Sequence, residues 1–454
     1  MLGPDKVKEI TNQVLAFSKA DQSEVIFSGT DSALTRFANS RIHQNVAETN
    51  TEIRVRVVYG KKMGVASSND LSPEALKRTV DTARAIAQLQ PENPEFKSLP
   101  GPQPIHAERV EAFVERTAKF TPEQRAQAVG VLCRKAKEKG VVAAGAYTTM
   151  SFEIAVANSL GVFAYHPGTV VDLNTVMTKV ASAMSDTGSG YASFTHPDAT
   201  QVNVAALADE AIDKALKARN PVALEPGDYT VLLEEYAVTD ILDFLAYLSF
   251  SALAVQEERS FMRGKTGEKV MGDNVTLWDD GCAPDTIALP FDFEGVPRQK
   301  VTFVENGIAR GVVYDTTTAQ REGKQSTGHS LPAPNSMGPY AAHMFMAPGS
   351  TPKSELLKGV ERGVWVTRFW YTRVAHPMQV LITGMTRDGT FLIENGEVTR
   401  PVKNFRFTTS YLDALNHVRA ISRETKLFRD DWSGAARRVP ALLVDGFRFT
   451  GVTE

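Results

Sequence analysis

Residues 384–410 read GMTRDGTFLIENGEVTRPVKNFRFTTS. Arg387-Asp388-Gly389 reads as a turn and Thr390–Ile393 as a short strand. Asn395-Gly396 is a strong hairpin signal, because both residue types tolerate positive φ. Pro401 favours extended geometry at Arg400, so the chain resumes as a second strand. The segment predicts ordered β framework with a basic rim of Arg387, Arg400, Lys403 and Arg406. It is suited to holding a ligand and carries no obvious cleaving group.

Outward from this stretch, the region after Gly264 is glycine-rich. It offers short strands at 275–278, 300–304, 308–314, 364–373, 378–385, 389–393 and 441–449, with a helix expected over 410–421. Many short strands separated by Gly, Asn and Pro turns predict a barrel-like or sandwich-like β-rich domain. It is preceded by a strand at Tyr229–Leu233 and a helix over Val238–Val255.

The first 220 residues have a different pattern. A helix is expected over 5–20. Ile53, Val55 and Val57 alternate with Glu52, Arg54 and Arg56, the period of a strand with one wet face. Ser72-Pro73 opens a helix as cap and first-turn proline. Residues 91–104 contain five prolines and read as a linker. The pattern then recurs: a helix over Pro122–Lys139, paired strands over Val141–Phe163, a strand over Val171–Ala183, and a helix over Gln201–Ala218. RFANSRIHQ at 36–44 matches AVANSLGVF at 155–163, and the helices at 71–88 and 202–219 fall in register. Each Asn-Ser predicts a turn between paired strands. The expectation is an α+β chain, with an internally duplicated α/β domain over 1–220 (units 1–104 and 105–220) and a β-rich domain over 221–454.

Composition bounds the function. The chain has 454 residues, is 43% hydrophobic and carries a formal net charge of −3. A basic nucleic-acid face is not indicated. Two distant cysteines, Cys133 and Cys282, exclude a disulfide scaffold and suit a reducing, cytoplasmic setting. Neither a signal pattern nor a spanning apolar run is expected.

The eight histidines include no HExxH-type helix. No G-x-S-x-G elbow or phosphate loop occurs, and SDTGSG at 185–190 lacks the second turn that an aspartic protease needs. Cys133 reads as core; Cys282 is a loop cysteine of open role. Asp279-Asp280 and Asp292 with Glu294 read as loop caps. GKQSTGHSLPAP at 323–334 predicts an extended loop whose N–H groups at Ser326, Thr327 and Gly328 could take a carboxylate or peptide backbone, beside His329. Trp365, Phe369, Trp370 and Tyr371 with Arg368 and Arg373 form an aromatic and basic stretch. One face of it would be core and the other could line a groove.

FDFEGVPRQKVTFVENGIARGVVYDTTTAQREGKQSTGHS at 291–330 and TRDGTFLIENGEVTRPVKNFRFTTSYLDAL at 386–415 resemble the TldD/PmbA family, long labelled as modulators of DNA gyrase. The resemblance extends over nearly the whole chain. It implies an N-terminal α/β region, a β-rich C-terminal domain and metallopeptidase activity. TldD-type members carry a His-Glu-x-x-x-His helix and a C-terminal cysteine that bind zinc. Here VLLEEYAVTDILDFLAYL at 231–248 places Glu234, Glu235 and Thr239 at those positions, and the ending at 429–451 has no cysteine. The chain therefore resembles the PmbA (TldE) branch, as SFMRGKTGEKVMGDNVTLWDDG at 260–281 also suggests. That branch implies a subunit without its own zinc, catalytic residue or cofactor. Its partner would be a zinc-bearing TldD-type subunit in a heterodimer, or a second copy of itself. Unfolded peptides would enter a cavity to which Ser326, Thr327, Gly328, His329, Arg387, Arg400 and Arg406 contribute. A stand-alone metallopeptidase and a non-enzymatic regulator of a protein such as DNA gyrase are the alternatives.

Overall fold

A computed structural model describes residues 1–105, 112–180, 187–430 and 434–452. The N-terminal domain is one antiparallel sheet of six strands: β1 (Gln22–Ala38), β2 (Arg41–Tyr59), β3 (Lys62–Ser68), β4 (Val142–Asn158), β5 (Phe163–Lys179) and β6 (Gly188–His196). Their order is β3-β2-β1-β4-β5-β6. The two triplets are thus mirrored about the central β1–β4 pair, which runs from Glu24 opposite Asn158 to Phe37 opposite Gly145. Each expected Asn-Ser turn joins the first two strands of its triplet. Asn39 and Ser40 take φ of 51° and 54° there.

Side-chain parity decides what each face meets. Val25, Phe27, Val55, Tyr147, Leu173 and Met177 face four helices, α1 (Pro4–Phe17), α2 (Pro73–Leu89), α4 (Pro122–Glu138) and α5 (Val204–Lys217); a short α3 (Glu115–Ala118) precedes α4. The alternate residues Ile26, Val156, Ala164 and Val170 face the C-terminal domain through Ile287, Leu289, Phe291 and Leu427. Ser72 caps α2 by accepting from the N–H of Ala75, and Thr121 closes a capping box at α4. Glycine admits the helices to the outer strands. A Cβ at Gly64 would lie 2.0 Å from the Ala83 carbonyl, and one at Gly190 would lie 2.2 Å from that of Ala211.

The C-terminal domain contains β7 (Gly227–Leu233), α6 (Glu235–Leu248), α7 (Ala252–Gln256), β8 (Leu277–Asp279), β9 (Val301–Glu305), β10 (Ile308–Ala309), α8 (Thr316–Arg321) and β11 (His343–Met346). It continues with β12 (Arg362–His376), β13 (Leu381–Glu394), β14 (Glu397–Pro401), β15 (Phe405–Ser410), α9 (Tyr411–Asn416), β16 (Val418–Arg429) and β17 (Ala436–Val452). Strand β7 pairs with β12, β12 with β13, β13 with β15, β15 with β17, and β17 with β7 again. This closed circuit is a barrel, one of the two β-rich forms, barrel-like or sandwich-like, expected from the sequence. Phe369, Phe405, Phe407, Phe447 and Phe449 fill it with ring contacts of 4.3–5.7 Å.

Four expectations are corrected. Residues 387–389 do not turn the chain: β13 runs through them, with Asp388 at φ 55° and Gly389 at φ 123° forming a bulge. The helix expected over 410–421 stops at Asn416, because Val418, Ala420 and Ile421 pair with β17. The helix expected over 238–255 starts at Glu235 and breaks at Ser249–Ser251 into α6 and α7. The strand expected from Val171 begins at Phe163 as β5; residues 181–183 of that stretch, and Ser185 and Asp186 of SDTGSG, lie outside the described residues. The Asn395-Gly396 turn is present, with φ of 51° and 80°. Among the described residues, no helix is long and apolar enough to cross a membrane.

Candidate functional site beside the α6 helix

Helix α6 follows β7 directly, and Glu234 is its N-cap with ψ of 164°. Val238, Ile241, Leu242 and Leu245 are buried in the barrel-side core, which leaves Thr239, Asp240 and Asp243 on the more open face. The start of the helix is tied to both domains by buried charges. Lys214 of α5 donates to Glu234 at 2.6 Å and to Glu210 at 2.9 Å. Lys353 donates to Glu235 at 2.6 Å and lies 4.0 Å from Glu234. The Trp365 indole donates to the other Glu234 oxygen at 2.9 Å. Lys426 donates to Glu210 at 3.0 Å and contacts the Tyr236 hydroxyl at 2.7 Å. Three carboxylates and three ammonium groups balance, so burial is compensated by pairing. Burial alone would push the Glu210 carboxyl up, but Lys214 and Lys426 outweigh it and hold it at about 2. Burial likewise pulls Lys214 down, but Glu234 and Glu210 hold it above the ordinary lysine value.

This arrangement decides the fit to zinc. Structural and catalytic zinc takes histidine, cysteine or free carboxylate donors. Here both oxygens of Glu234 are engaged by Lys214 and Trp365, and an ammonium group occupies the approach to Glu235. Thr239 offers a neutral hydroxyl. These residues do not fit a zinc dication. Among the described residues, no cluster of three or more His, Cys, Asp or Glu side chains is placed to hold a metal ion.

The open face of α6 instead borders a cavity of about 480 Å³, lined by Thr239, Asp240 and Asp243 on one side and Arg368, Trp370 and Tyr371 of β12 on the other. Register shifts in β12 after Val366 and after Trp370 re-aim this stretch. Tyr371 takes φ of 52° and is 65% exposed. The Arg368 guanidinium lies 4.2 Å from the Tyr191 ring centre and 4.7 Å from that of Trp370, and Arg387 stands 4.7 Å from the Trp370 ring. The β13 bulge turns Asp388 inward to ion-pair with Arg368. The Trp370 indole N–H is buried without a partner. Asp240 accepts from Tyr411 at 2.5 Å and from Thr372 at 2.8 Å, and burial pushes its carboxyl up to about 7 against those bonds. The face offers rings, cations and one carboxyl whose charge changes near neutrality, a mixture suited to binding an extended polar chain.

A second cavity of about 750 Å³ adjoins it through Asp243 and is mostly apolar, with Phe244, Tyr247, Met337 and Tyr340. A third, of about 200 Å³, shares Phe293, Leu331 and Tyr340 with the second and lies between the two domains. The three form a chain of cavities along the domain boundary.

The residues anticipated from sequence distribute unevenly over this surface. Thr239 lines the first cavity, and Arg387 backs its tryptophan. Arg400 is exposed and lies 3.4 Å from Glu394, and Arg406 is exposed on β15. The 326–329 loop folds on itself. The Thr327 and Gly328 N–H groups donate to Tyr314 and Ser326, and His329 is fully buried between Thr327 at 2.9 Å and Asp279 at 3.0 Å. Cys133 is buried in α4, and the partly exposed Cys282 sits in a loop where its N–H donates to Asp280. Asp292 caps its loop by accepting from Glu294, Val296 and Ser330. Sequence reasoning missed Glu210 and Lys214, an i,i+4 pair on α5, and Lys353 and Lys426, which are distant from them in the chain. The i,i+4 spacing of Glu210 and Lys214 reads as an ordinary surface pair, and Lys353 and Lys426 have no local pattern.

Comparison with known proteins agrees with this architecture. Family models described as PmbA/TldA metallopeptidase domain 1, central domain and C-terminal domain match residues 23–87, 102–219 and 226–451. A metalloprotease PmbA homologue of Haemophilus influenzae is 24% identical over 89% of this chain and 88% of its own length. A metalloprotease TldD homologue of the same organism is 22% identical over 83% and 80%. An uncharacterised protein of Methanocaldococcus jannaschii is 33% identical, over 36% of this chain and 38% of its own length. The crystal structure of TldE from Thermococcus kodakarensis superposes with a TM-score of 0.89 at 20% identity, covering 98% of this chain and all of that one. At that identity the likeness shows the fold alone. The three matched domains, in order and along almost the whole chain, place this protein in the PmbA/TldD metallopeptidase family.

Proposed function

We propose that this chain is the zinc-free subunit of a TldD/TldE-type peptidase. It shapes the cavity that holds unfolded peptide while a zinc-bearing TldD-type partner cleaves it, in proteolysis or leader-peptide maturation. The observation that carries this reading is the state of Glu234 and Glu235. Glu234, at the first histidine position of a TldD-type helix, and Glu235, at its glutamate position, are here held in a charge-balanced lysine network, and Thr239 stands at the second histidine position. Such a network holds the helix in place and sets ammonium groups where a metal cation would have to approach. The cavity beside the helix is lined by rings and guanidinium groups. Extended peptides bind through their backbone and are selected by side-chain pockets, which the chain of cavities supplies. The stand-alone metallopeptidase reading would need donors that these residues do not offer.

The test is metal content and peptide cleavage of the purified chain, alone and mixed with a TldD-type partner. The expected result is less than about 0.1 zinc per chain and no cleavage alone, with both appearing only in the mixture. Stoichiometric zinc and cleavage from the chain alone would overturn the reading.

A further inference from the structure

Arg298 is 8% exposed, yet its Nε and Nη1 atoms are buried without a hydrogen-bond partner. The carboxylates that act on it electrostatically are Asp279 and Asp292. Both are engaged elsewhere. Asp279 accepts from the His329 ring at 3.0 Å and from the His343 backbone at 2.7 Å, and Asp292 accepts from three backbone N–H groups. His343, 3% exposed, has an Nδ1 atom that is likewise buried and unpartnered. Burial, reinforced by Arg298, pulls the His343 imidazolium down to about 3, so the ring is neutral at physiological pH and free to donate or accept. Nε and Nη1 lie on opposite edges of the guanidinium plane, so a carboxylate answers this charge through one charge-assisted bond rather than a bidentate pair.

Both side chains line the 200 Å³ interdomain cavity. Its remaining wall is largely apolar and includes Met150, Phe152, Ile154 and Leu289. A dry cavity of about 150 Å³ accepts a benzene ring, so this volume suits one hydrocarbon side chain together with a carboxylate. The cavity also continues, through Phe293, Leu331 and Tyr340, into the apolar groove that runs toward α6.

We propose that Arg298 and His343 form a carboxylate-binding site at the end of this groove, and that its ligand is an apolar carboxylic acid. Within the reading of this chain as a peptide-holding subunit, that ligand is the C-terminal residue of a peptide, whose preceding residues lie along the groove. A free apolar acid such as phenylacetate presents the same chemistry.

The test uses the full, unmodified chain and fluorescein-Gly-Gly-Ser-Gly-Phe-Leu as free acid and as C-terminal amide, read by anisotropy. The acid is expected to bind at least about tenfold more tightly than the amide, the usual effect of a charge-assisted contact. Arg298→Gln is expected to abolish the difference and Arg298→Lys to retain part of it. Ala342→Leu, which narrows the cavity without touching a charge, is expected to weaken acid binding in a chain whose melting is checked alongside. Phenylacetate forms the second arm. Binding of phenylacetate that depends on Arg298, without preference for the peptide acid, assigns the site to free acids. Preference for the peptide acid assigns it to peptide termini. Equal binding of acid and amide without Arg298-dependent binding of phenylacetate, a difference that survives Arg298→Gln, or no binding of any probe would overturn the site. These outcomes are independent of zinc content, so this site and the proposed function can fail separately.

Discussion

Replacing Lys214 with methionine removes one charge from the centre of the network at the start of α6. Lys214 and Glu234 have side-chain exposures of 4% and 2%, so water cannot re-solvate the carboxylate that is left. Stripping one partner from a buried pair costs roughly 3–5 kcal/mol. Two contacts soften the loss here: the Trp365 indole still donates to Glu234, and Lys353 remains 4.0 Å away. Glu210 also keeps Lys426. About 3 kcal/mol is therefore expected for Lys214→Met. The doubly neutral Lys214→Met/Glu234→Gln chain should cost about 2 kcal/mol less than the sum of the two single substitutions. Urea unfolding of the four chains, followed by tryptophan fluorescence and by circular dichroism, measures both quantities. A single-substitution cost below about 1 kcal/mol, together with additivity in the double variant, would refute the claim that these charges form one buried network; exposed pairs behave that way.

Asp240→Asn tests the carboxyl raised to about 7. A carboxyl whose folded value lies above its unfolded value of about 4 stabilises the fold below pH 4, and that contribution is lost as pH rises through 7. The variant should equal the parent at pH 4 and exceed it by up to about 4 kcal/mol at pH 8, read from melting curves across that range. An unchanged difference across the range would remove Asp240 as a titrating group. Gly190→Val drives a side chain into the Ala211 carbonyl and should cost about 2–3 kcal/mol in urea, whereas Gly101→Ala, which meets no atom within 4 Å, should stay within about 0.5 kcal/mol. Equal effects at the two positions would contradict direct helix-on-strand packing.

The strands and helices of the N-terminal sheet were legible because their signals are local. The period-two run at 52–57, the Asn-Ser turns and the Ser72-Pro73 cap each act within a few residues, and each is found in place. The barrel was legible as a class, but its pairing was not. Strand β16 hides behind the helical spacing that ends α9, and only hairpin pairing with the next strand, β17, makes it extended. Residues 387–389 have turn chemistry, yet pairing with β12 on either side keeps them in a strand as a bulge. The site was the least legible part. The absence of histidine at 234 and 239 can be read from the sequence. The lysines that pair with Glu210, Glu234 and Glu235 come from positions 214, 353 and 426, and the orphan groups at Arg298 and His343 exist only after both domains meet. No spacing rule connects residues that tertiary packing alone brings together.

The mirrored sheet also has a consequence for synthesis on the ribosome. Strand β1 pairs with β2 a few residues later, but its other edge waits for β4, since Glu24 meets Asn158. At about 5–20 residues per second, the first triplet emerges many seconds before its partner. Through that interval a 17-residue strand presents an open edge beside the apolar side chains of Ile26 and Phe27. The nascent first half is a template for pairing with another nascent copy. A translational pause in the proline-rich stretch at 91–104 would lengthen the exposure, and holding by a chaperone until β4 is made would end it.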